Sequence, residues 1–287
     1  MCADSKSGAS LGAAPPIFRH AFARHWKTSV RYYGLRRTLT QIAEAAYRFG
    51  RELLPDRRKV QYGDLDYDFD HSVDTTRANV SFRAQLIAAL TSHQYFPSEP
   101  WLFDEMMQAL TSALSIQQSA VGRDSAGHAE LQEFTFVDLG SGKGRCLLMA
   151  APYGFKKIIG VEFMPEWHRV AEENICKYAQ KCAVKNRPAA ALESHCMDAR
   201  DFEFPAGPLV VYLFNPFPEP VLAAVLERLR RSLGRNPKPM FLVYRFPEFE
   251  PLLQKCDWLE KIAATEQWEV YRYLPSGASN SCSTKTF

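Results

Sequence analysis

From residue 131 onward, short apolar runs alternate with segments whose apolar residues recur every three or four positions. The short runs have the length and composition of buried strands, and the longer segments are typical of amphipathic helices. This alternation predicts an α/β fold in which a mostly parallel, doubly wound sheet is covered by helices on both faces. We predict strands at Phe134–Leu139, Lys157–Glu162, Leu192–Met197, Leu209–Phe214 and Met240–Tyr244, and helices at Arg145–Ala151, Pro165–Ala179, Pro220–Leu233 and Phe249–Lys255.

The two ends of this pattern differ from its centre. Leu259–Ala263 and Trp268–Tyr273 are strand-like runs joined by a short polar link, which predicts an antiparallel hairpin and brings the strand count to seven. On the N-terminal side, apolar residues between Leu35 and Leu53 have helical spacing, with arginines between them. A further helix is predicted to begin near Ser98 as its cap and to bury Leu102, Phe103, Met106, Met107 and Leu110. A helical N-terminal extension therefore precedes the sheet.

The first predicted strand runs directly into Gly140-Ser141-Gly142-Lys143-Gly144 and then into a helix. Glycines at such a place let backbone N–H groups approach a ligand at a helix N-terminus. A dinucleotide fingerprint is excluded because its third glycine would stand at position 145, which is Arg145. A phosphate-binding P-loop is excluded because Gly144, instead of Ser or Thr, follows Lys143. The pattern that remains is Asp138-x-Gly140-x-Gly142-x-Gly144.

The stretch from Phe136 to Arg145 resembles motif I of class I S-adenosylmethionine-dependent methyltransferases. In that family the loop wraps the methionine part of the cofactor, which fits a loop without a diphosphate clamp. The resemblance implies a Rossmann-like, seven-stranded sheet and S-adenosylmethionine as the cofactor. It assigns cofactor binding to Asp138, Gly140, Ser141, Gly142, Gly144, Glu162, Asp198 and Ala199.

Two of these residues follow later strands. Glu162 closes the second strand, 24 residues after Asp138, where the resemblance implies that it accepts hydrogen bonds from both ribose hydroxyls. Asp198-Ala199 follows the third strand and looks like the family's adenine-contacting position. The alternatives are a glycine-rich turn with a surface Glu162, and ordinary turn chemistry for Asp198.

The fourth strand, which the doubly wound order places beside the glycine-loop strand, ends in Asn215-Pro216-Phe217-Pro218. This resembles the Asn/Asp-Pro-Pro-aromatic motif IV of amino-methylating enzymes, in which the amide oxygen and a turn carbonyl accept hydrogen bonds from the substrate amine. Asn215, Pro216 and Phe217 are therefore the expected catalytic residues. Phe217 stands at the second Pro position and Pro218 at the aromatic one. The alternative is a Pro-rich turn that leads into the next helix.

Within the family, residues 95–273 look most like the non-SET, seven-strand histone lysine methyltransferases and the bacterial proteins grouped with them. Asn215-Pro216 stands where the eukaryotic enzymes have a doubled Asn. The resemblance implies N-methylation of an amine, with a protein lysine as first acceptor and a small-molecule amine as second. Two alternatives stay open: a nucleic-acid base methyltransferase, and a non-catalytic cofactor-binding module whose basic arm docks nucleic acid. No residue is singled out as general base.

Charge divides the chain into a basic arm and an acidic body. Residues 1–60 hold 12 Lys and Arg against 4 Asp and Glu, whereas the remainder holds 23 against 28. Such an arm packs on its own acidic body or contacts nucleic acid, and we favour the first. In Tyr62–Asp70, acids alternate with apolar residues, which predicts an extended acidic lip that pairs with the arm or faces a cationic substrate. The predicted divisions are a tail over 1–16, a basic helical extension and acidic lip over 17–94, the methyltransferase domain over 95–274, and a tail over 275–287.

Composition excludes several other classes of protein. The sequence has no run of 18 apolar residues, so no membrane-spanning segment and no membrane partner are predicted. The N-terminal residues lack the apolar core of a signal peptide, and the cytoplasm is the expected compartment. The seven cysteines form no C-x-x-C pair, so a zinc cluster is not indicated and no metal is expected.

Overall fold

The computed structural model describes residues 26–31, 34–40, 42–43, 46–47, 65–76, 96–119, 131–185 and 189–275. Its centre is a single sheet of seven strands in the order β3-β2-β1-β4-β5-β7-β6. The strands are β1 (Thr135–Leu139), β2 (Lys157–Glu162), β3 (Leu192–Cys196), β4 (Leu209–Phe214), β5 (Met240–Arg245), β6 (Leu259–Ala264) and β7 (Trp268–Tyr273). Each begins and ends within one residue of its predicted bounds.

The sheet is parallel from β3 to β5, and β7 is antiparallel to both β5 and β6. The predicted doubly wound sheet with a C-terminal antiparallel hairpin is therefore confirmed. β1 lies between β2 and β4, with Asp138 level with Gly160 on one side and Tyr212 on the other. The order reverses between β1 and β4, which is the switch point where open α/β sheets bind their ligands.

Helices cover both faces of the sheet. They are α1 (Leu65–His71), α2 (Pro100–Ser119), α3 (Arg145–Ala150), α4 (Pro165–Val184), α5 (Glu219–Arg235) and α6 (Glu250–Gln254). The predicted stripe of α2, from Leu102 to Leu110, is buried in one apolar cluster with α3 and one face of the strands. Leu222, Leu226 and Leu229 of α5 are buried in the second cluster, on the opposite face. Each such side chain contributes about 1.5–3 kcal/mol to stability.

The acidic segment has a different conformation from the predicted one. Residues Leu65–His71 form helix α1, not an extended lip. The Asp68 carboxylate accepts hydrogen bonds from the backbone N–H groups of Thr75 (2.9 Å) and Thr76 (2.7 Å), which closes the chain after α1 into a turn. Alternate residues on a helix are about 200° apart, so Asp68 and Asp70 do not share one face. The other two predicted carboxylates, of Asp64 and Asp66, lie outside the described side chains. Tyr67 is accordingly buried, whereas Phe69 is 86% exposed.

The N-terminal extension is described only in part. Residues 26–31 and 34–40 are helical, as the prediction of a helical extension requires. The tail over 1–16 and almost all of the tail over 275–287 lie outside the described residues, and the predicted domain boundaries remain predictions. No helix in the described ranges is both long and apolar enough to cross a membrane. In the same ranges, no group of three or more His, Cys, Asp or Glu side chains is arranged to hold a metal ion.

Candidate functional site

The glycine loop leaves β1 at the centre of the sheet and turns before α3. Gly140, Gly142 and Gly144 have φ angles of 84°, 54° and 82°, a region that residues with a Cβ rarely adopt. The Gly144 N–H donates to the Ser141 carbonyl at 2.9 Å and closes the turn ahead of α3. The loop has this shape because its alternate positions are glycine.

Two close contacts tie this loop to its neighbours. A Cβ on Gly140 would overlap the Cβ of Pro216, so the glycine loop and the predicted motif IV touch each other directly. A Cβ on Gly160 of β2 would lie 2.6 Å from Ser141 Oγ, so the Ser141 side chain packs against bare backbone. The Ser141 hydroxyl is buried and has no hydrogen-bond partner among the described residues. Such groups are rare in native proteins, and a bound ligand is one way to satisfy them.

Glu162 braces the loop from the end of β2. Its carboxylate accepts hydrogen bonds from the Gly142 N–H at 2.8 Å and from the Met164 N–H at 2.7 Å. Burial raises the pKa of Glu162 to about 7, although these hydrogen bonds act in the opposite direction. The carboxylate thus holds the loop to the β2 end, a contact that the sequence pattern does not reveal. Its expected role toward ribose hydroxyls stays a prediction.

Asp138 is the second buried acid of this site. It is 3% exposed, and no group in the described part of the chain donates a hydrogen bond to its carboxylate. Burial raises the pKa of Asp138 well above its usual range, and the nearby Glu162 charge raises it further. Two buried carboxylates without a counter-charge favour a cationic ligand. S-adenosylmethionine, which carries a sulfonium and an ammonium, fits this requirement.

Asp198 lies at the end of β3 and is already engaged. Its carboxylate accepts from the Arg200 N–H at 2.9 Å and from the Arg200 guanidinium at 2.6 Å. Ala199 beside it is buried and begins a short 3-10 helix. The adenine contact of Asp198 and Ala199 stays a prediction. It requires the Asp198 carboxylate to accept hydrogen bonds from an adenine amine and from Arg200 together. Sequence reasoning missed Arg200, although an Arg two residues after a turn Asp is a detectable signal.

Asn215 is held at the end of β4 by two side chains that sequence reasoning missed. It is 9% exposed and has a φ of 39°. Its Nδ2 donates to Glu248 Oε2 at 2.6 Å, and its Oδ1 accepts from the Tyr244 hydroxyl at 3.1 Å. Because a carboxylate only accepts, Glu248 determines which end of the amide faces it. Oδ1 keeps a second lone pair for another donor.

The other two expected catalytic residues lie directly after Asn215. Pro216 is in contact with Gly140, as described above. Phe217 is partly buried against the apolar cluster that contains α5. The structure therefore brings the ends of β1, β2 and β4 together, whereas Asp198 and Ala199 follow β3, at the outer end of the sheet. Neither Glu248 nor Tyr244 carries a motif that would identify it in the sequence.

The segment around Asp74 packs against the glycine loop and the first turn of α3. The Arg145 guanidinium is buried, donates to Thr76 Oγ1 at 2.5 Å and pairs with Asp68 at 3.3 Å. Lys143, within the loop, is also buried and pairs with Asp74 at 3.1 Å. The segment 65–76 is thus fixed to the glycine loop and the start of α3 by two buried cations.

Residues 96–99, directly before α2, contact side chains of β4 and β5. The Ser98 and Tyr212 hydroxyls share a hydrogen bond of 2.9 Å. Because α2 begins at Pro100, Glu99 stands directly before the helix, one residue after the predicted cap Ser98. Glu99 pairs with Arg245 of β5, whose guanidinium lies 3.9 Å from the centre of the Phe214 ring. These contacts join the start of α2 to the ends of β4 and β5.

Comparison with known proteins places this site in context. Residues 127–193 match the family model described as Histone methylation protein DOT1. This match includes β1, the glycine loop, β2 and α4, and it supports an S-adenosylmethionine-dependent methyltransferase. It covers 67 of the 287 residues. No curated protein matches the chain.

Solved structures similar to this chain include three described as methylases or methyltransferases. A putative methylase from Haemophilus influenzae is 15% identical over 60% of this chain and 99% of its own, with a TM-score of 0.42. An RNA methyltransferase from Salinibacter ruber, in complex with S-adenosyl-L-homocysteine, is 18% identical over 64% and 99%, with a TM-score of 0.35. A TehB-like SAM-dependent methyltransferase from Corynebacterium glutamicum is 14% identical over 58% and 97%, with a TM-score of 0.35.

Proposed function

We propose that this protein is an S-adenosylmethionine-dependent methyltransferase that transfers the methyl group to an amine, with a protein lysine as its first acceptor. The observation that carries the proposal is the direct contact between Gly140 and Pro216. It places the loop with the two buried acids beside the amide of Asn215. Donor and acceptor subsites of a transferase have to meet in this way.

On the donor side, Asp138 and Glu162 supply negative charge to a cationic cofactor. Burial makes the charged form of both carboxylates unfavourable when no cation pairs with them. A bound cation offsets this free-energy cost by pairing with the two carboxylates. The Ser141 hydroxyl is available as a further donor or acceptor. The cofactor, when bound, supplies an activated methyl group on a sulfonium, and the chain's task is to hold and orient it.

On the acceptor side, Asn215 positions the amine. The second lone pair of Oδ1 accepts a hydrogen bond from an amine N–H, which orients the nitrogen lone pair toward the methyl. The amine has to be neutral to attack, and a lysine has a reference pKa of about 10.4, so its proton must leave first. Desolvation at the partly buried edge of β4 lowers that pKa and favours the neutral form.

The acceptor is tested by transfer of a tritiated methyl group from S-adenosylmethionine. The probes are histone protein, poly-L-lysine and free lysine, each with wild type and Asn215→Ala. We expect label on the lysine-containing polymers and a loss on the order of 100-fold in Asn215→Ala. Label on free lysine alone would move the acceptor to the small-molecule class. Bound cofactor without label on any of the three contradicts lysine methylation.

A further inference from the structure

A groove of about 500 Å³ lies beside the C-terminal half of α5, where its lining holds four arginines and one lysine against two glutamates. It begins at Arg200, after β3, and extends to Lys238, before β5. Arg235 is 16 residues beyond Glu219, so the far end of the groove is about 24 Å along α5 from the helix start beside Asn215. The groove is therefore separate from the acceptor site.

One wall of the groove is a row of arginines on α5. Arg228, Arg231 and Arg235 follow a spacing of three and four residues, which places them on one face of the helix over about 10 Å. Arg231 pairs with Glu227 at 2.7 Å, and Arg228 lies 3.8 Å from Glu203. Arg235 has no ion pair within the described part of the chain. Arg200, outside the row, pairs with Asp198 at 2.6 Å, so within the described residues Arg235 is the arginine of the lining whose charge no carboxylate compensates.

Lys238 adds a further cation to the lining of the groove. It is 7% exposed, its ammonium donates to the Pro205 carbonyl, and no described carboxylate pairs with it. Burial lowers the pKa of Lys238, because an ammonium removed from water without a counter-charge is unfavourable. An anion in the groove would provide the missing charge. Lys238 and Arg235 thus both lack a carboxylate partner within the described residues, and an anionic ligand would pair with either.

We propose that this groove binds the phosphodiester backbone of a nucleic acid. Four of its five cations are arginines, and a planar guanidinium can donate two parallel hydrogen bonds to a phosphate. Arg200 already donates to Asp198, and Arg228 to the Asp201 and Phe202 carbonyls, so Arg231 and Arg235 are the two that we expect to contact phosphates. The proposal rests on the groove alone and is independent of the methyl-transfer reaction.

The test is fluorescence anisotropy of labelled single-stranded RNA and DNA of about 20 nucleotides, titrated at salt concentrations from about 50 to 200 mM. The groove variant is Arg231→Ala/Arg235→Ala. The matched control is Arg169→Ala/Arg230→Ala, which also removes two exposed arginines, neither of which lines the groove. All proteins are the full chain, and cofactor affinity is measured in parallel.

We expect wild type to bind both nucleic acids and the control to retain its affinity and salt dependence. The groove variant should bind at least about tenfold more weakly at low salt, with a log–log salt slope smaller by about 1.4 for two lost phosphate contacts. An equal loss of nucleic-acid affinity in both double variants would mean that binding depends only on net charge, which would overturn the proposal. Absence of binding by wild type, or competition by poly-glutamate as strong as by nucleic acid, would also overturn it. If cofactor affinity is the same in wild type and both double variants, none of these outcomes affects the methyltransferase proposal.

Discussion

At the residue scale, the charge state of Glu162 links pH to stability. The pKa of Glu162 rises from 4.5 to about 7 on folding, so the folded protein binds an extra proton between these values. Its contribution to the free energy of unfolding is present below about pH 4.5 and is lost as the pH rises through about 7. Asp138, whose pKa is raised as well, acts in the same direction.

We therefore expect the melting temperature of the cofactor-free protein to fall between about pH 5 and pH 8. Glu162→Gln should make this slope shallower, whatever its effect on the melting temperature at a single pH. S-adenosylmethionine should raise the melting temperature more at the higher pH, because it pairs with the ionised acids. Thermal melts across this range check the slope. A melting temperature that rises equally in wild type and variant would contradict the raised pKa.

Asn215 is expected to depend on Glu248 and Tyr244 for its orientation. Asn215→Asp puts two carboxylates 2.6 Å apart, so methyl transfer should fall on the order of 100-fold and recover partly at lower pH, where the pair shares a proton. Asn215→Asp/Glu248→Gln reverses donor and acceptor and keeps the hydrogen bond. The double variant should therefore exceed Asn215→Asp in rate at neutral pH.

The measurement is the rate at which the tritiated methyl group is transferred to the acceptor. Melting temperature and cofactor affinity are the structural readouts. Glu173→Ala, an exposed carboxylate on α4, is the control and should match wild type. Glu248→Ala should lower the rate while both structural readouts stay near wild type. A Glu248→Ala protein as active as wild type would show that the amide needs no such support.

At the element scale, a comparison of two glycines distinguishes the cost of an unfavourable backbone conformation from the cost of a steric overlap. Gly140 and Gly207 have nearly the same φ, 84° and 89°, but an added Cβ meets Pro216 at Gly140 and no atom within 4 Å at Gly207. Gly207→Ala should cost about 1 kcal/mol from its backbone conformation, with unchanged cofactor affinity. Gly140→Ala should cost more and weaken cofactor binding at least about tenfold. Urea unfolding and calorimetry of both variants test this, and equal effects would contradict it.

The elements themselves were largely predictable from sequence, and the contacts between them were not. Apolar runs identified β1, β2, β4, β5 and β7 because these strands contain buried residues. The edge strands β3 and β6 are only partly buried, and their place between the predicted helices and hairpin turn indicated them. The glycine spacing identified the loop. The helix at Leu65–His71 was missed because its turn depends on Asp68 binding Thr75 and Thr76. Glu248 was missed because it lies 33 residues from Asn215 and follows a different strand.

At the scale of the whole molecule, the segment 65–76 supports the glycine loop and the start of α3. Asp68 pairs with Arg145, whose side chain is 2% exposed, at the first turn after the glycine loop. Removal of one partner from such a pair leaves a buried charge. The segment and the sheet are therefore expected to unfold together.

Asp68→Ala should lower the free energy of unfolding by about 3 kcal/mol. It should also weaken cofactor binding, because α3 begins at the freed arginine. Asp70→Ala is the matched control: within the described residues the Asp70 side chain makes no hydrogen bond or ion pair, and its contact with Lys181 uses the backbone carbonyl, so stability should change little. Urea unfolding measures both. A small effect of Asp68→Ala would mean that Arg145 has adequate support without it.

The central claim is that the glycine loop and its buried acids bind S-adenosylmethionine. Calorimetric titration of S-adenosylmethionine and S-adenosylhomocysteine into wild type, Glu162→Ala and the Glu173→Ala control tests it directly. We expect micromolar binding, about −8 kcal/mol, in wild type and the control, and binding abolished or sharply weakened in Glu162→Ala. Absence of binding by wild type, or equal binding by Glu162→Ala, would contradict the account.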